Sequence, residues 1–528
     1  MMIDGSVFAG GKLCCCCTAL WLLTFTVLSL SQALRNGEEL SFASYYGDHM
    51  VLQQAPEQAV LWGYGTGDSV LILTLTGELK SQNKAAYVKN GIWRVTLDPV
   101  EAGGPYNVTV AQEGNFSAQV TLTDVLFGDV WLCGGQSNMA FTVSQLINAT
   151  EELAMAARFP HVRIFMAALV QSNTELSDLS GAEVLWSVPT PDLLGGRPFT
   201  HFSAVCWLFG RYLQQNLSYP VGLVESCWGG TPVEAWSSRR ALQKCGLAAG
   251  EDRFPVPHTK MPSFGGSWEN SVLWNAMIHP LLNMTIKGAI WYQGEENTNY
   301  NLHLYNCTFP AMIDDWRMSF HEGSGGQTAM DFPFGFVQIS TYQKNSESEA
   351  YPDLRWHQTA DYGFAPNPRM KKTFMAVAMD LPDENSPSGS IHPRYKHDVA
   401  LRLTLGARAM AYGEKNVSFQ GPFPAKIWLD QDLINITYNQ PVSVSLSQDI
   451  FEICYAKKQE FCGSPFAWAY APIVYREEKS ILLSVNWTDM VAAVRYAWRD
   501  WPCGLKTCPV YSADHVLPAP PFIVYRWP

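Results

Sequence analysis

From residue 40 to 123 the apolar positions come in short runs broken by turn residues: HMVLQQ, AVLWGY, SVLILTLTG, YVKNGIWRVTLD, YNVTVAQ and SAQVTLTD. Runs of this length, with Asn90-Gly91 inside one of them, predict strands joined by tight turns and so a β-sandwich-like module over 34–123. The pattern changes at 124. Continuous apolar runs (DVWLCGG, KGAIWYQGE, FGFVQIS, FMAVAMDL) now alternate with stretches of helical period, VSQLINATEELAMAAR and HDVALRLTLGARAM. Strands that are apolar throughout are buried on both faces, which predicts an α/β domain over 124–415 with a parallel sheet and flanking helices. From 416 the strand-and-turn pattern returns in KIWLD, LINITYN, FEICYA, SILLSV and AVRYAW, predicting a second β-sandwich-like module over 416–528. No internal repeat or low-complexity segment interrupts this order.

The first 33 residues read differently. Residues 13–30 are apolar and uncharged, preceded by Lys12 and followed by Ser31, Gln32 and Ala33, a small-x-small cleavage pattern. This predicts a secretory signal peptide over 1–33. The alternative is a single-pass anchor, because the run reaches the lower bound of about 18 residues for a spanning helix. Two features agree with export. Nine Asn-x-Ser/Thr sites, at Asn107, Asn115, Asn148, Asn216, Asn283, Asn306, Asn416, Asn435 and Asn486, are candidate glycosylation positions. Of thirteen Cys, nine lie beyond the leader, an odd number in an oxidising compartment. Cys133, in the apolar run VWLC, is the expected unpaired thiol, while Cys454 with Cys462 and Cys503 with Cys508 are close enough to staple local loops.

Composition narrows the function classes. With 47% apolar and 16% charged residues, disorder and coiled coil are excluded. Thirty-six Lys and Arg stand against 48 Asp and Glu, a net charge of −12 that repels polyanions, so nucleic acid is not an expected partner. After signal removal no membrane partner is expected either. An aromatic share of 13% suits the ring-lined surfaces of carbohydrate-handling proteins.

Candidate chemistry gathers in loops after apolar strands. In GDVWLCGGQSNMAF, residues 128–141, a strand ends at Cys133, two glycines permit a tight turn, and Ser137 is expected at a helix start. Orphan amides at such a start favour developing negative charge, and they equally favour Ser as a simple N-cap. Gly-x-Ser-x-Gly is absent, because position 139 is Met139. In VGLVESCWGGTPVEAW, Gly229 and Gly230 could bring a backbone amide to a substrate oxygen, or form an ordinary turn. In AIWYQGEENT, Gln293, Glu295, Glu296 and Asn297 cluster at a strand end. Ligands of open α/β sheets lie beyond the carboxyl ends of the strands, so these loops are expected to converge with Ser137. Among eleven His, His392 in GSIHPRYKHDVALRL follows a strand and precedes a helix, where a loop can deliver an imidazole. His279 sits in an apolar stretch, and His357 and His397 read as helical and peripheral.

The blocks GQSNM, WGGTPVEAW, WYQGEENT and IHPRYK, in that order, resemble the four signature blocks of the SGNH/GDSL-like hydrolases, in the branch that de-acetylates sialic acids. The resemblance implies an SGNH-hydrolase-like core and a serine esterase that removes O-acetyl groups, chiefly the 9-O-acetyl, from sialic acids. It also implies a lysosomal and secreted location. Carried over, Ser137 is the nucleophile and His392 the general base, and the Ser137 and Gly230 amides with the Gln293 side chain form the oxyanion hole. No metal or organic cofactor is implied. Where the wider group has an Asp two or three residues before the His, this chain has Ser390 and Gly389, so the orienting acid is open. Asp380 is the first candidate, then Asp383 and Glu295, and a dyad supported by a backbone carbonyl is the alternative. Arg355 is expected to bind the sialic acid carboxylate, or else to hold the fold through a salt bridge, and Asn297 is the other expected substrate contact. Two rival readings are an esterase for another acetylated sugar and a secreted carbohydrate-binding glycoprotein without catalysis.

Overall fold

The computed structural model describes residues 40–525 apart from 79, 114, 248–268, 457–461, 464–466 and 487–490. The expected signal peptide at 1–33 and the Asn115 side chain lie outside the described residues. At the centre is a sheet of seven strands: Asn115–Gly135 (β1), Val162–Ala167 (β2), Ala182–Ser187 (β3), Val221–Cys227 (β4), Gly288–Tyr292 (β5), Phe334–Gln338 (β6) and Thr373–Val377 (β7). Their order is β3-β2-β4-β1-β5-β6-β7. Every neighbouring pair is parallel except β3 with β2, so one antiparallel edge makes the sheet mixed.

Parallel strands need crossovers, and crossovers place helices on the faces. Helices Ala204–Leu217 (α1), Tyr305–Gly323 (α2) and Lys396–Met410 (α3) do this here. On one face α1 and α3 bury Trp207, Phe209, Leu403 and Ala407 against Ile164, Leu223, Phe374 and Ala376. On the other, α2 buries Phe309, Met312 and Trp316 against Trp291, Phe334 and Phe336. With both faces covered, β2, β4, β5 and β6 are buried at every position.

After β1 the chain builds one side of the sheet through β4 and then crosses to the other side with β5. The strand order therefore reverses at β1, and a crevice opens at its carboxyl end. Register makes that crevice level: Cys227 of β4 and Tyr292 of β5 both pair with Gly135 of β1. The loops after all three strands emerge side by side.

The first half of β1 belongs to a different ladder. It pairs antiparallel with Gly103–Gln112 and parallel with Val51–Gln53. Around it a three-stranded sheet and the strands Val70–Gly77 and Ser81–Tyr87 enclose Trp62, Leu73, Trp93 and Val108, in one core continuous with Phe165 and Trp186. Beyond α3, two four-stranded antiparallel sheets and a strand pair enclose Ile434, Phe451, Ile481, Tyr496 and Phe522.

Two sequence expectations change. The helical stretch 143–158 is broken into a 3-10 turn at Val143–Gln145, a helix at Ala149–Met155 and a second 3-10 turn at Ala156–Arg158. Cys133 is not the free thiol: it is bonded to Cys206 of α1, because β1 turns its side chain to the helix-covered face where Cys206 lies. Cys454–Cys462 and Cys503–Cys508 pair as expected, Cys245 pairs with Cys307, and the buried Cys227 at the end of β4 is free. Of the candidate glycosylation sites, Asn107, Asn148, Asn216, Asn416 and Asn486 are exposed, and Asn283, Asn306 and Asn435 are half-buried.

Candidate active site

Gly135 ends β1 with φ +138°, and a Cβ at that position would stand 2.2 Å from the Tyr292 carbonyl oxygen. Only glycine fits. The chain then turns at once: the Gln136 amide donates to the Tyr292 carbonyl (2.9 Å) and the Trp228 amide to the Gly135 carbonyl (3.0 Å). The loops after β1, β4 and β5 are thereby tied to one another. Met139 and Ala140 amides both donate to the Gln136 carbonyl at 2.9 Å, closing a single turn around Ser137. The expected helix start is corrected to this isolated turn, because the chain is extended again at Thr142, which bridges to Ser203.

The His392 Nε2 lies 2.8 Å from the Ser137 Oγ, and Nδ1 lies 2.8 Å from the Ser388 carbonyl oxygen. A carbonyl only accepts, so Nδ1 carries the hydrogen and Nε2 turns its lone pair to the serine hydroxyl. The loop around the imidazole is closely held. His392 amide donates to the Gly389 carbonyl (2.9 Å), the Ser386 hydroxyl donates to the His392 carbonyl (2.6 Å), and the Gln145 amide donates to the Ser388 hydroxyl (2.8 Å). Gln145 also accepts from the Phe199 amide (3.1 Å), which sets the Phe199 ring against the imidazole with centroids 5.0 Å apart. Burial pushes the His392 pKa down from 6.5 to about 4; the Ser388 hydrogen bond opposes this, and the nearby Lys396 charge adds a smaller downward push.

The Gly229-Gly230 loop lies against the nucleophile: a Cβ on Gly229 would stand 3.3 Å from the Ser137 Cβ, and Gly230 has φ +67°. Gln293 does not present its amide to this space. Its Nε2 donates to Asn297 Oδ1 (2.7 Å) and to the Thr231 carbonyl (3.2 Å), and its Oε1 accepts from the Tyr305 hydroxyl (2.9 Å). It therefore braces the loop that carries Gly230. Asn297, expected to touch substrate, is fully buried: Oδ1 accepts from the Val233 amide, and Nδ2 donates to Glu234 and to the Tyr300 carbonyl.

The sequence pattern of the family described as "Carbohydrate esterase, sialic acid-specific acetylesterase" matches residues 127–392, from within β1 to His392 itself. A second pattern, "Sialate O-acetylesterase C-terminal domain", matches 425–526. The chain is 50% identical over 511 residues to the sialate O-acetylesterase of Mus musculus, covering 91% of this chain and 94% of that one. To the Homo sapiens protein of the same name it is 50% identical over 495 residues, 92% of each. The chain belongs to the sialate O-acetylesterase family. Among solved structures, a carbohydrate acetylesterase from Xanthomonas citri matches with a TM-score of 0.74 at 27% identity, over 92% of this chain and 100% of the other.

In this sialate O-acetylesterase family chain, none of the three carboxylates expected to orient His392 is hydrogen-bonded to it. Asp380 accepts from Arg402 at 2.6 and 2.8 Å and from the Tyr511 hydroxyl at 2.8 Å, so it anchors α3 to the C-terminal strands. Asp383 takes a two-pronged bond from Arg394 at 2.6 and 2.9 Å. Glu295 accepts from Asn138 at 2.6 Å, and burial raises its pKa. Arg355 is corrected as well. It is fully buried and donates to the carbonyls of Ile339, Ser340, Arg499 and Asp500, so neither a substrate carboxylate nor a salt bridge explains it. Sequence reasoning offered a backbone carbonyl as the alternative to an acid without naming Ser388, and it missed Phe199, Gln145 and Asn138. Asn138 lay inside the GQSNM block, whereas a backbone carbonyl has no letter of its own.

Proposed function

We propose that the chain is a serine esterase that hydrolyses the O-acetyl esters of sialic acids, free or on glycoconjugates and chiefly at the 9-position, through an acetyl-serine intermediate. The observation that carries this reading is the 2.8 Å contact of Ser137 Oγ with His392 Nε2, made where three strand ends meet. His392 removes the serine proton as Oγ attacks the acetyl carbonyl, then returns it to the sugar oxygen as the C–O bond breaks. Water, deprotonated by the same nitrogen, attacks the acetyl-serine carbonyl, and the proton passes from Nε2 to Ser137 Oγ as the bond from carbonyl carbon to Oγ breaks and acetate leaves. The Ser137 amide donates to no other group among the described residues, which leaves it for the oxyanion, with the Gly230 amide as its partner. The Ser388 carbonyl replaces the carboxylate of a triad in fixing the tautomer, so the machine is a dyad.

Four disulfides accord with a protein of the secretory pathway, and among the described residues no helix is long and apolar enough to cross a membrane. Lysosome and extracellular space are the proposed locations, reached through the signal peptide and with N-linked glycans on the exposed sites.

The test is hydrolysis of 9-O-acetyl sialic acid beside an acetylated neutral sugar, with the wild type and Ser137→Ala. Fast release from the sialic acid, lost in the variant, is the expected result. Preference for the neutral sugar would replace the substrate. Activity above a few per cent in a folded, secreted Ser137→Ala would overturn the mechanism.

A further inference from the structure

Beneath Ser137 and His392 lies a buried polar string that the esterase chemistry above does not use. Asn138, next to the nucleophile, donates from Nδ2 to the Ile391 carbonyl (2.9 Å), the peptide immediately before the base, and to Glu295 Oε1 (2.6 Å). Its Oδ1 accepts from Lys396 Nζ at 2.6 Å. Asn138 and Lys396 are completely buried and Glu295 is 5% exposed. A buried amine with no carboxylate in direct contact is costly, and here it stands over the rings of Phe141 and Tyr292, 4.7 and 5.1 Å from their centroids.

We propose that Lys396 is a positioning residue for the hydrolytic dyad: by fixing Asn138 it locks the nucleophile's turn to the loop that carries the base. One amide side chain links the two halves of the dyad, and the Lys396 donor selects its orientation, since a flipped Asn138 would point its NH2 at the ammonium. The string also acts electrostatically. The charged and titratable groups facing Lys396 are Glu295, Asp383, the Tyr292 phenol and His392. Burial lowers the Lys396 pKa to about 7, so at acidic pH it is protonated and disfavours the His392 imidazolium.

The inference rests on the Ser137–His392 reading, so Ser137→Ala is assayed in parallel; if that variant stays active, it is the dyad that fails. Lys396→Met removes donor and charge, whereas Lys396→Gln removes the charge and keeps a donor. For Lys396→Met, kcat on 9-O-acetyl sialic acid is expected to fall about 10- to 100-fold with KM within about twofold, the scale of a misplaced reacting pair. The acid limb of kcat/KM moves to higher pH in both variants, because the cation opposing the imidazolium is gone. Lys396→Gln recovers kcat to within about threefold of wild type while its limb stays moved. An unmoved limb in both, an unchanged kcat in Lys396→Met, or the absence of a cooperative melt in both would each overturn the proposal, the last by assigning Lys396 to folding.

Discussion

Phe199→Ala is the perturbation that most directly tests how the base is prepared. The Phe199 ring packs at a tilt against the His392 imidazole with centroids 5.0 Å apart, and burial is the main cause of a pKa near 4 instead of 6.5. That difference is about 3 kcal/mol in favour of the neutral ring. At pH 5 a group of pKa about 4 is roughly nine-tenths neutral, whereas one of 6.5 is only about 3% neutral, so burial makes about 30-fold more base available. The structure thus describes an enzyme built to keep its base free in acid, with a weaker base as the cost. Phe199 meets the ring at a tilt, with 59° between the planes, and supplies part of its burial, so its loss is expected to return part of the difference, about one pH unit or ~1.4 kcal/mol. The sign follows: the His392 pKa rises, and the acid limb of kcat/KM moves up. Activity relative to wild type should fall about fivefold at pH 4 and be unchanged at pH 7 once any pH-independent loss is divided out. The assay is kcat/KM on 9-O-acetyl sialic acid from pH 3 to 8, with a thermal melt of each protein. A wild-type limb near 6.5 would refute the burial argument, and an unmoved limb in Phe199→Ala would refute the role given to the ring.

Three further outcomes follow from the contacts. Asp380→Asn, Asp383→Asn and Glu295→Gln should each escape the ~10,000-fold fall in turnover that loss of a triad carboxylate brings, and Asp380→Asn should instead lower the melting temperature; a loss of that size in any one, at unchanged melting, restores the triad. Arg355→Met strands four buried carbonyls, so it should depress melting and affect acetylated sialic acid and a small neutral acetyl ester equally; a selective loss on the sialic acid revives a binding role. Arg197 is exposed, takes part in no ion pair among the described residues, and lies two residues before Phe199. With Arg355 withdrawn, Arg197 is the cation offered for the sialic acid carboxylate: Arg197→Ala should raise KM for acetylated sialic acid and leave the neutral ester unaffected, and equal KM values on both would dismiss that role.

The sequence made some parts of this site legible and hid others for physical reasons. Ser137 and His392 stood in blocks whose glycines and strand ends announce a crevice, and the 2.8 Å contact joins residues 255 positions apart. The alternation of apolar runs located β5, β6 and β7, each buried along its length or nearly so. Asp380 misled because a carboxylate at a strand end can face either side of the sheet, and this one meets Arg402 of α3 and Tyr511. Arg355 misled because a guanidinium reads as a ligand for carboxylates, whereas its partners here are backbone oxygens that carry no sequence signal. Ser137 lacked its helix because the following residues are claimed by the Thr142–Ser203 bridge, a contact no local propensity reveals.

The long strand β1 has a consequence for how this protein can be divided. Its first half completes the ladder with Gly103–Gln112, and its last half is the axis of the catalytic sheet and ends at the nucleophile's turn. A cut near residue 124, where the hydrophobic pattern changes, would fall inside one hydrogen-bonded strand. An excised core would expose a new apolar edge at Val125–Phe127, and an excised amino-terminal piece would leave Val51–Gln53 without the strand it pairs with. The amino-terminal sheet and the serine's turn therefore share one backbone strand, and neither can be removed without cutting through the other's hydrogen-bonded ladder.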